Sequence, residues 1–189
     1  MSAIALERRH RFRVEAWLRM GEIGLFSPEY RGELIEGEIL DMPPIGPTHS
    51  GCVAWLNDFF SLGISRREGI VWVQNPLRLG DLSAPQPDLA LLRPRPDFYR
   101  AALPAPEDVL LVVEVADTTL RYDREVKAPL YARFKIPEYW LVNLPEQYLE
   151  VFRKPQAGGY LETTRYGRGD ALSPQAWPSL TLSVRELLG

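Results

Sequence analysis

Two carboxylates stand alone in apolar stretches of this chain. Asp88 lies in PDLALL (87–92), and Glu114 lies in VLLVVEV (109–115). Side chains alternate between the two faces of a strand, so each acid shares its face with apolar residues only. An unpaired buried carboxylate is costly. Two of them on neighbouring strands therefore indicate a hard divalent ion such as Mg²⁺, which takes oxygen ligands. The alternative is that each acid meets an arginine or a backbone N–H at a strand end.

A third group follows on a predicted helix. Asp123, Lys127 and Tyr131 are spaced four residues apart, which places them on one helix face. Lys127 follows Glu114 by thirteen residues, so the helix could return the lysine to the strand ends. A compact ammonium beside two carboxylates can hold an attacking water or neutralise a phosphate charge, and arginine is less suited to that task. The alternative is a solvated Asp123–Lys127 pair worth about 0.3–0.5 kcal/mol.

The elements that must position these side chains can be predicted from periodicity and from turn residues. The sequence GELIEGEILDM (32–42) predicts a hairpin that turns at Glu36 and Gly37. Further strands are predicted over 70–73, 87–92, 109–115, 138–143, 149–152, 160–166 and 180–182. Helices are predicted over 12–20, over 49–62 with Thr48 as the cap, over 120–134 with a kink or late start at Pro129, and at the end of the chain. Because VLLVVEV is almost continuously apolar, we expect a mixed sheet with helices on both faces.

Length, net charge and composition exclude several classes of protein. The 189 residues suit one domain over 1–189, and the net charge of −3 argues against sequence-blind coating of nucleic acid. The longest apolar run has five residues, so no membrane partner is expected. The single cysteine, Cys52, excludes an intrachain disulfide, and the charged start of the chain lacks a signal core, so we expect a cytosolic protein. No glycine-rich phosphate loop, nucleophile elbow or zinc-spaced histidine pair occurs in the sequence.

Several segments together resemble the Uma-two family of restriction-endonuclease-like proteins, within the PD-(D/E)XK nuclease-like superfamily. They are GELIEGEILDMPP (32–44), His49, QPDLALL (86–92), VVEV (112–115) and RYDREVKAPLYARFKIPEYWLVN (121–143). The resemblance covers about 12–152, and the order and spacing of the segments are more specific than any one of them. It implies an α/β (α+β) fold with a restriction-endonuclease-like core. A mixed central β-sheet would be flanked by helices and preceded by an N-terminal helix and β-hairpin.

The resemblance also implies site roles. Asp88 and Glu114 would be metal ligands, with the Val115 carbonyl as a third. The superfamily's usual lysine position holds Ala116 here, and Lys127 from the next helix would replace it. The remaining implied members of the site are the metal-supporting Glu33, for which Glu36 is the alternative, and the pocket-lining His49.

The function that follows is metal-dependent hydrolysis of DNA phosphodiester bonds, with Mg²⁺ or Mn²⁺ as the cofactor and a homo-oligomer, expected to be a dimer, as the assembly. One alternative is a catalytically inactive nuclease-fold protein that binds nucleic acid or a protein partner, because fold does not establish activity. Another is a metal-dependent hydrolase of a small phosphoester. The shape of the site discriminates between substrates. A small ester favours a closed cup, whereas DNA favours a long groove with arginines such as Arg93, Arg95, Arg121 and Arg124.

Overall fold

The computed structural model describes residues 10–27 and 29–189. Its strands are β1 (Gly32–Ile35), β2 (Glu38–Asp41), β3 (Ile70–Val73), β4 (Leu89–Leu92), β5 (Val109–Ala116), β6 (Glu138–Asn143), β7 (Tyr148–Gln156), β8 (Gly159–Gly167), β9 (Ala171–Leu172) and β10 (Leu182–Ser183). Its helical segments are α1 (Val14–Glu22), α2 (Pro47–Gly63), a 3₁₀ turn (Pro106–Asp108), α3 (Leu120–Tyr122), a π-helical turn (Asp123–Lys127), α4 (Ala128–Arg133) and α5 (Val184–Leu188). The predicted mixed α/β architecture is confirmed.

The central sheet has six strands in the order β3-β4-β5-β6-β7-β8. Only β5 and β6 run parallel, and the other neighbours pair antiparallel. A parallel pair needs a crossover connection. The chain between Ala116 and Glu138 supplies it as α3, the π-helical turn and α4. This crossover carries Lys127 back to the sheet from which Glu114 projects.

Two apolar clusters cover the two faces of the sheet. One joins Val113 and Val115 of β5 to residues of α2 and α5, including Leu56 and Phe60. The other joins the alternate residues Val112 and Ala116 to the α4 residues Leu130 and Tyr131, with further members from the strands. Burial on both faces explains the continuous apolar run of β5. Tyr139 and Trp140 of β6 are fully buried core residues.

In the N-terminal part, the structure has the predicted hairpin but not the predicted cap of α2. The hairpin of β1 and β2 pairs Ile35 with Glu38, as the turn residues predict. The predicted cap of α2 is wrong, because that helix begins at Pro47, after Gly46, and no side chain caps it. Proline lacks an N–H and its φ angle suits the first helical position, so the sequence ahead of Thr48 already starts the helix.

The crossover helix is more irregular than a kinked α-helix. The predicted segment 120–134 is helical, but its Asp123–Lys127 part forms a π-helical turn before α4 begins at Ala128. Pro129 lies in the first turn of α4, where its missing N–H costs little. Single π-helical turns occur frequently at functional sites. Within the described ranges, no helix is both long and apolar enough to cross a membrane.

Candidate functional site

Asp88 and Glu114 lie side by side in the structure. Asp88 immediately precedes β4, and the antiparallel register pairs Leu89 with Val113 of β5. The Asp88 N–H lies 3.4 Å from Oε2 of Glu114, and Oδ2 of Asp88 accepts a 2.9 Å hydrogen bond from the Val115 N–H. Both carboxylates are buried. The structure therefore brings together the two acids that the strand pattern singles out.

Three donors surround the Asp88 carboxylate. They are the Val115 N–H, Nε2 of His49 at 3.0 Å from Oδ2, and the Gln74 amide at 3.1 Å from Oδ1. Burial alone would raise the pKa of Asp88, but these hydrogen bonds and the His49 ring outweigh it and lower that pKa. Asp88 is therefore held ionised. Nδ1 of His49 is buried and has no hydrogen-bond partner among the described residues.

Lys127 lies among three carboxylates. Its Nζ is 3.0 Å from Oε1 of Glu114, 3.1 Å from Oε2 of Glu33 and 4.0 Å from Oδ1 of Asp123. Burial lowers the pKa of a lysine, yet here the carboxylates outweigh burial and raise the pKa of Lys127 well above its ordinary range. The side chain is therefore a fixed ammonium, suited to meeting negative charge rather than to accepting a proton.

Glu114 is the most strongly perturbed acid of the site. Burial raises its pKa, and Lys127 offsets only part of that effect, so the pKa rises to about 8. The neighbouring acids Asp123 and Asp88 add to the rise. Tyr131 donates a 2.8 Å hydrogen bond to Oε1 of Glu114. Perturbed carboxylates in a cavity are typical of functional sites.

The two candidate glutamates of the hairpin differ in burial and in their partners. Glu33 is buried, and besides Lys127 it accepts hydrogen bonds from the Tyr122 hydroxyl at 3.0 Å and the Gln86 N–H at 3.1 Å. Glu36 is exposed in the turn, with a φ of 50°, and pairs with Arg133. Only Glu33 therefore reaches the buried cluster of Asp88, Glu114, Asp123 and Lys127. Its oxygens already bind Lys127, the Tyr122 hydroxyl and the Gln86 N–H.

Sequence reasoning did not assign site roles to five residues that touch the cluster. They are Gln74, Gln86, Tyr122, Asp123 and Tyr131. Asp123 and Tyr131 share a predicted helix face with Lys127, so their four-residue spacing is the sequence signal that indicates them. Asp123 also accepts a 2.6 Å hydrogen bond from the Thr119 hydroxyl. The two glutamines come from loops, where no periodicity could indicate their direction.

A cavity of about 370 Å³ opens above these groups. Its polar floor is formed by Glu33, His49, Asp88, Glu114, Asp123 and Lys127. Its apolar side is formed by Leu40, Met42, Pro43, Pro44 and Ile45. None of the four arginines predicted for a DNA groove lines it; Arg95, Arg121 and Arg124 pair instead with Asp97, Glu125 and Glu150, and Arg93 donates to the Glu107 carbonyl.

The donor chemistry of the floor fits a hard divalent ion. Three buried acids surround the Lys127 ammonium and Asp88 is a fourth buried acid beside them, so acidic groups outnumber the cation. Oxygen ligands of this kind suit Mg²⁺ or Mn²⁺. Among the described residues, however, no group of three or more histidine, cysteine, aspartate or glutamate side chains is arranged to hold a metal. The ammonium of Lys127 occupies the space between Glu33, Glu114 and Asp123, which leaves Asp88 and Glu114 as the available carboxylate pair.

Cys52 takes no part in this chemistry. The side chain is buried in α2, and burial raises the pKa of its thiol to about 12. The thiol is therefore protonated and unreactive near neutral pH.

Comparisons with known proteins bear on the fold and the family of the chain. A solved structure described as "a putative nuclease belonging to DUF820 from Anabaena variabilis ATCC 29413" matches with a TM-score of 0.70 and 22% identity, over 94% of this chain and 97% of that one. That likeness shows a shared fold. A search of curated proteins finds no significant match. The sequence profile of the Uma2 family, described as "Putative restriction endonuclease", matches residues 14–185. The chain therefore belongs to the Uma2 family.

Proposed function

We propose that this protein is a metal-dependent nuclease that hydrolyses phosphodiester bonds in DNA. The observation that supports it best is the meeting of Asp88, Glu114 and Lys127 at the floor of one cavity. Two carboxylates and a fixed ammonium suit metal-assisted phosphodiester hydrolysis, because the acids can hold an ion and the ammonium can meet a negatively charged phosphate. Membership of a family described as restriction endonucleases points in the same direction.

The ion would be held by Asp88, Glu114 and the Val115 carbonyl. The Val115 N–H points to Asp88, and the carbonyl of a strand residue points to the same side as its N–H. When bound, the ion would polarise the phosphate and lower the pKa of a water. Asp88 stays ionised through its three donors, so it is ready to bind a cation.

Lys127 would stabilise the negative charge that develops on the phosphate. Its ammonium is preorganised by Glu33 and Glu114, so little reorganisation is needed during the reaction. The apolar side of the cavity would exclude water around these groups, which strengthens their electrostatic effect. Glu33 is thus proposed to position the lysine.

The test compares wild type with Glu114→Gln on plasmid, linear and single-stranded DNA, with Mg²⁺ or Mn²⁺. Glu138→Gln is the matched control, since Glu138 is also a buried glutamate but binds Trp140 and Arg153 at the start of β6. We expect cutting by wild type and by the control, and none by Glu114→Gln. Equal cutting by wild type and Glu114→Gln would identify a contaminant and reject the proposed site.

A homodimer is the second part of the proposal, by analogy with nucleases of the PD-(D/E)XK superfamily, which often dimerise. Light scattering of the purified chain tests it directly. A molecular mass twice the 21.5 kDa of the chain is expected. A monomer at all concentrations would remove the dimer and would leave the hydrolytic site untouched.

A further inference from the structure

The reacting groups of the candidate site are deeply placed. Glu33, Glu114, Asp123 and Lys127 are each only 3% exposed, and Asp88 is 7% exposed. A phosphate can reach them only by entering the cavity of about 370 Å³. That volume lies near the lower end of the range for small-molecule sites, about 300–1,000 Å³. The size therefore suits one nucleotide rather than several consecutive ones.

The cavity has an apolar lip on one side. Leu40, Met42, Pro43, Pro44 and Ile45 all line the cavity, and Asp41 is the one acid in this run. Two consecutive prolines have fixed φ angles, which makes this lip stiff. Across the floor, the Tyr122 ring lies 5.8 Å from Nζ of Lys127 and also lines the cavity. Apolar and aromatic surfaces beside a phosphate site are suited to the sugar and base of a nucleotide whose partner is absent.

The charges around the opening do not suit a duplex. Arg31 is the single arginine among the described residues that line the cavity. Proteins that grip a duplex neutralise many phosphates along it, commonly about 6–10. Arg121 and Arg124, on the crossover helix, are engaged by Glu125 and Glu150. The net charge of the chain, −3, adds no general attraction for DNA.

We propose that the substrate is an unpaired nucleotide within a DNA strand, with its phosphate at Lys127 and its base or sugar against the apolar lip. This inference rests on the proposed nuclease function and specifies its substrate class. A paired nucleotide would first have to leave the stack, as it does in enzymes that flip bases into snug pockets. Single strands and unpaired stretches avoid that cost.

The experiment uses one labelled oligonucleotide in three forms: a single strand, a blunt duplex, and a duplex interrupted by a short unpaired stretch. We expect the full chain with Mn²⁺ to cut the single strand at least about tenfold faster than the blunt duplex, and to cut the interrupted duplex within its unpaired stretch. Fluorescence anisotropy with the Glu114→Gln protein gives a second readout, independent of cutting. It should show tighter binding of the single strand than of the duplex.

A matched pair of variants tests the lip. Ile45→Asp places a negative charge at the opening and should weaken both binding and cutting of the single strand by about tenfold or more. Leu161→Asp makes the same change at an exposed β8 position outside the cavity and should alter neither. Equal losses in the two variants would overturn the role of the lip.

The outcomes separate this inference from the proposed function. If Glu114-dependent cutting is as fast on the blunt duplex as on the single strand, the nuclease proposal stands and the unpaired-nucleotide inference fails. If only the small diester bis(4-nitrophenyl) phosphate is hydrolysed, the inference about a DNA strand fails and hydrolysis at this site stands. If nothing is cut, the nuclease proposal fails, and equal anisotropy for single strand and duplex would reject the inference as well.

Discussion

Lys127 and Glu114, thirteen residues apart in the chain, form a buried ion pair with 3.0 Å between Nζ and Oε1. The strand β5 presents the glutamate and the crossover helix returns the lysine, so the pair joins the sheet to the helix that covers it. Glu33 reaches the same ammonium from the hairpin. One cation therefore holds three separate elements together at the floor of the cavity.

The first prediction concerns this ammonium. Lys127→Met leaves Glu33, Glu114 and Asp123 without their cation, and breaking a buried pair in this way costs about 3–5 kcal/mol of unfolding free energy. Cutting should fall by about 100-fold or more, because the charge at the phosphate is lost. Urea unfolding and a plasmid assay measure the two effects.

Lys154→Met is the control for that prediction. Lys154 is an exposed lysine paired with Glu162 on the neighbouring strand, so its loss should change stability by no more than about 0.5 kcal/mol. Lys127→Arg is a useful addition, because the planar guanidinium is too large for so enclosed a position and should not restore cutting. Full activity in Lys127→Arg would show that charge alone suffices.

The second prediction concerns pH in the metal-free protein. Burial raises the pKa of Glu114 from 4.5 to about 8, so the folded state holds this proton more tightly than the unfolded chain does. The stabilisation from Glu114 is therefore complete below about pH 4.5 and is lost as pH rises through about 8. The lowered pKa of Asp88 has the opposite effect, because its contribution to stability is lost as the pH falls. That loss is confined to pH below about 4.

Urea unfolding in EDTA, from about pH 5 to pH 9, measures this dependence. The free energy of unfolding of wild type should fall with rising pH relative to that of Glu114→Gln, whose neutral amide does not titrate. Most of this relative fall should occur between about pH 4.5 and pH 8, the interval between the ordinary and the raised pKa of Glu114. Parallel curves for the two proteins would contradict the raised pKa.

The main members of the site follow from the sequence because local rules act on them. Strand alternation identifies Asp88 and Glu114 as lone acids on apolar faces, and helical spacing groups Asp123, Lys127 and Tyr131. Even so, Asp88 precedes β4 instead of lying within it, and the segment around Asp123 is a π-helical turn. The lateral pairing of strands, not the exact element boundary, brings these groups together.

The remaining features depend on packing between distant segments. The sequence leaves Glu33 and Glu36 as alternatives, and only the docking of the hairpin places Glu33 inward and leaves Glu36 with Arg133. Gln74 and Gln86 reach the acids from loops without periodicity. The enclosed cavity likewise depends on where the 42–46 loop lies, which no local propensity determines.

The third prediction concerns metal binding. Mg²⁺ or Mn²⁺ bound at Asp88 and Glu114 should raise the melting temperature, with a gain of about 2.7 kcal/mol when the ion is at 100 times its dissociation constant. Asp88→Asn and Glu114→Gln should lose this gain, and Glu138→Gln should keep it. Differential scanning fluorimetry and isothermal titration calorimetry measure it. An unchanged gain in Asp88→Asn would mean that the ion binds elsewhere.

The fourth prediction concerns His49, whose Nε2 lies 3.0 Å from Oδ2 of Asp88. His49→Ala removes this contact but leaves the Val115 and Gln74 donors in place, so the protein should fold while the carboxylate loses its orientation. Loss of a partner that orients a metal ligand typically costs about 10–100-fold in metal affinity or activity. His49→Gln can still offer an amide N–H and should retain most of the cutting. Calorimetric titration with Mn²⁺, beside the cutting assay, separates lost orientation from a general loss of fold. His10→Ala, at an exposed histidine outside the cavity, is the control and should behave as wild type. If His49→Ala binds Mn²⁺ and cuts DNA like wild type, Asp88 is oriented by its other donors and His49 does not position the metal ligand.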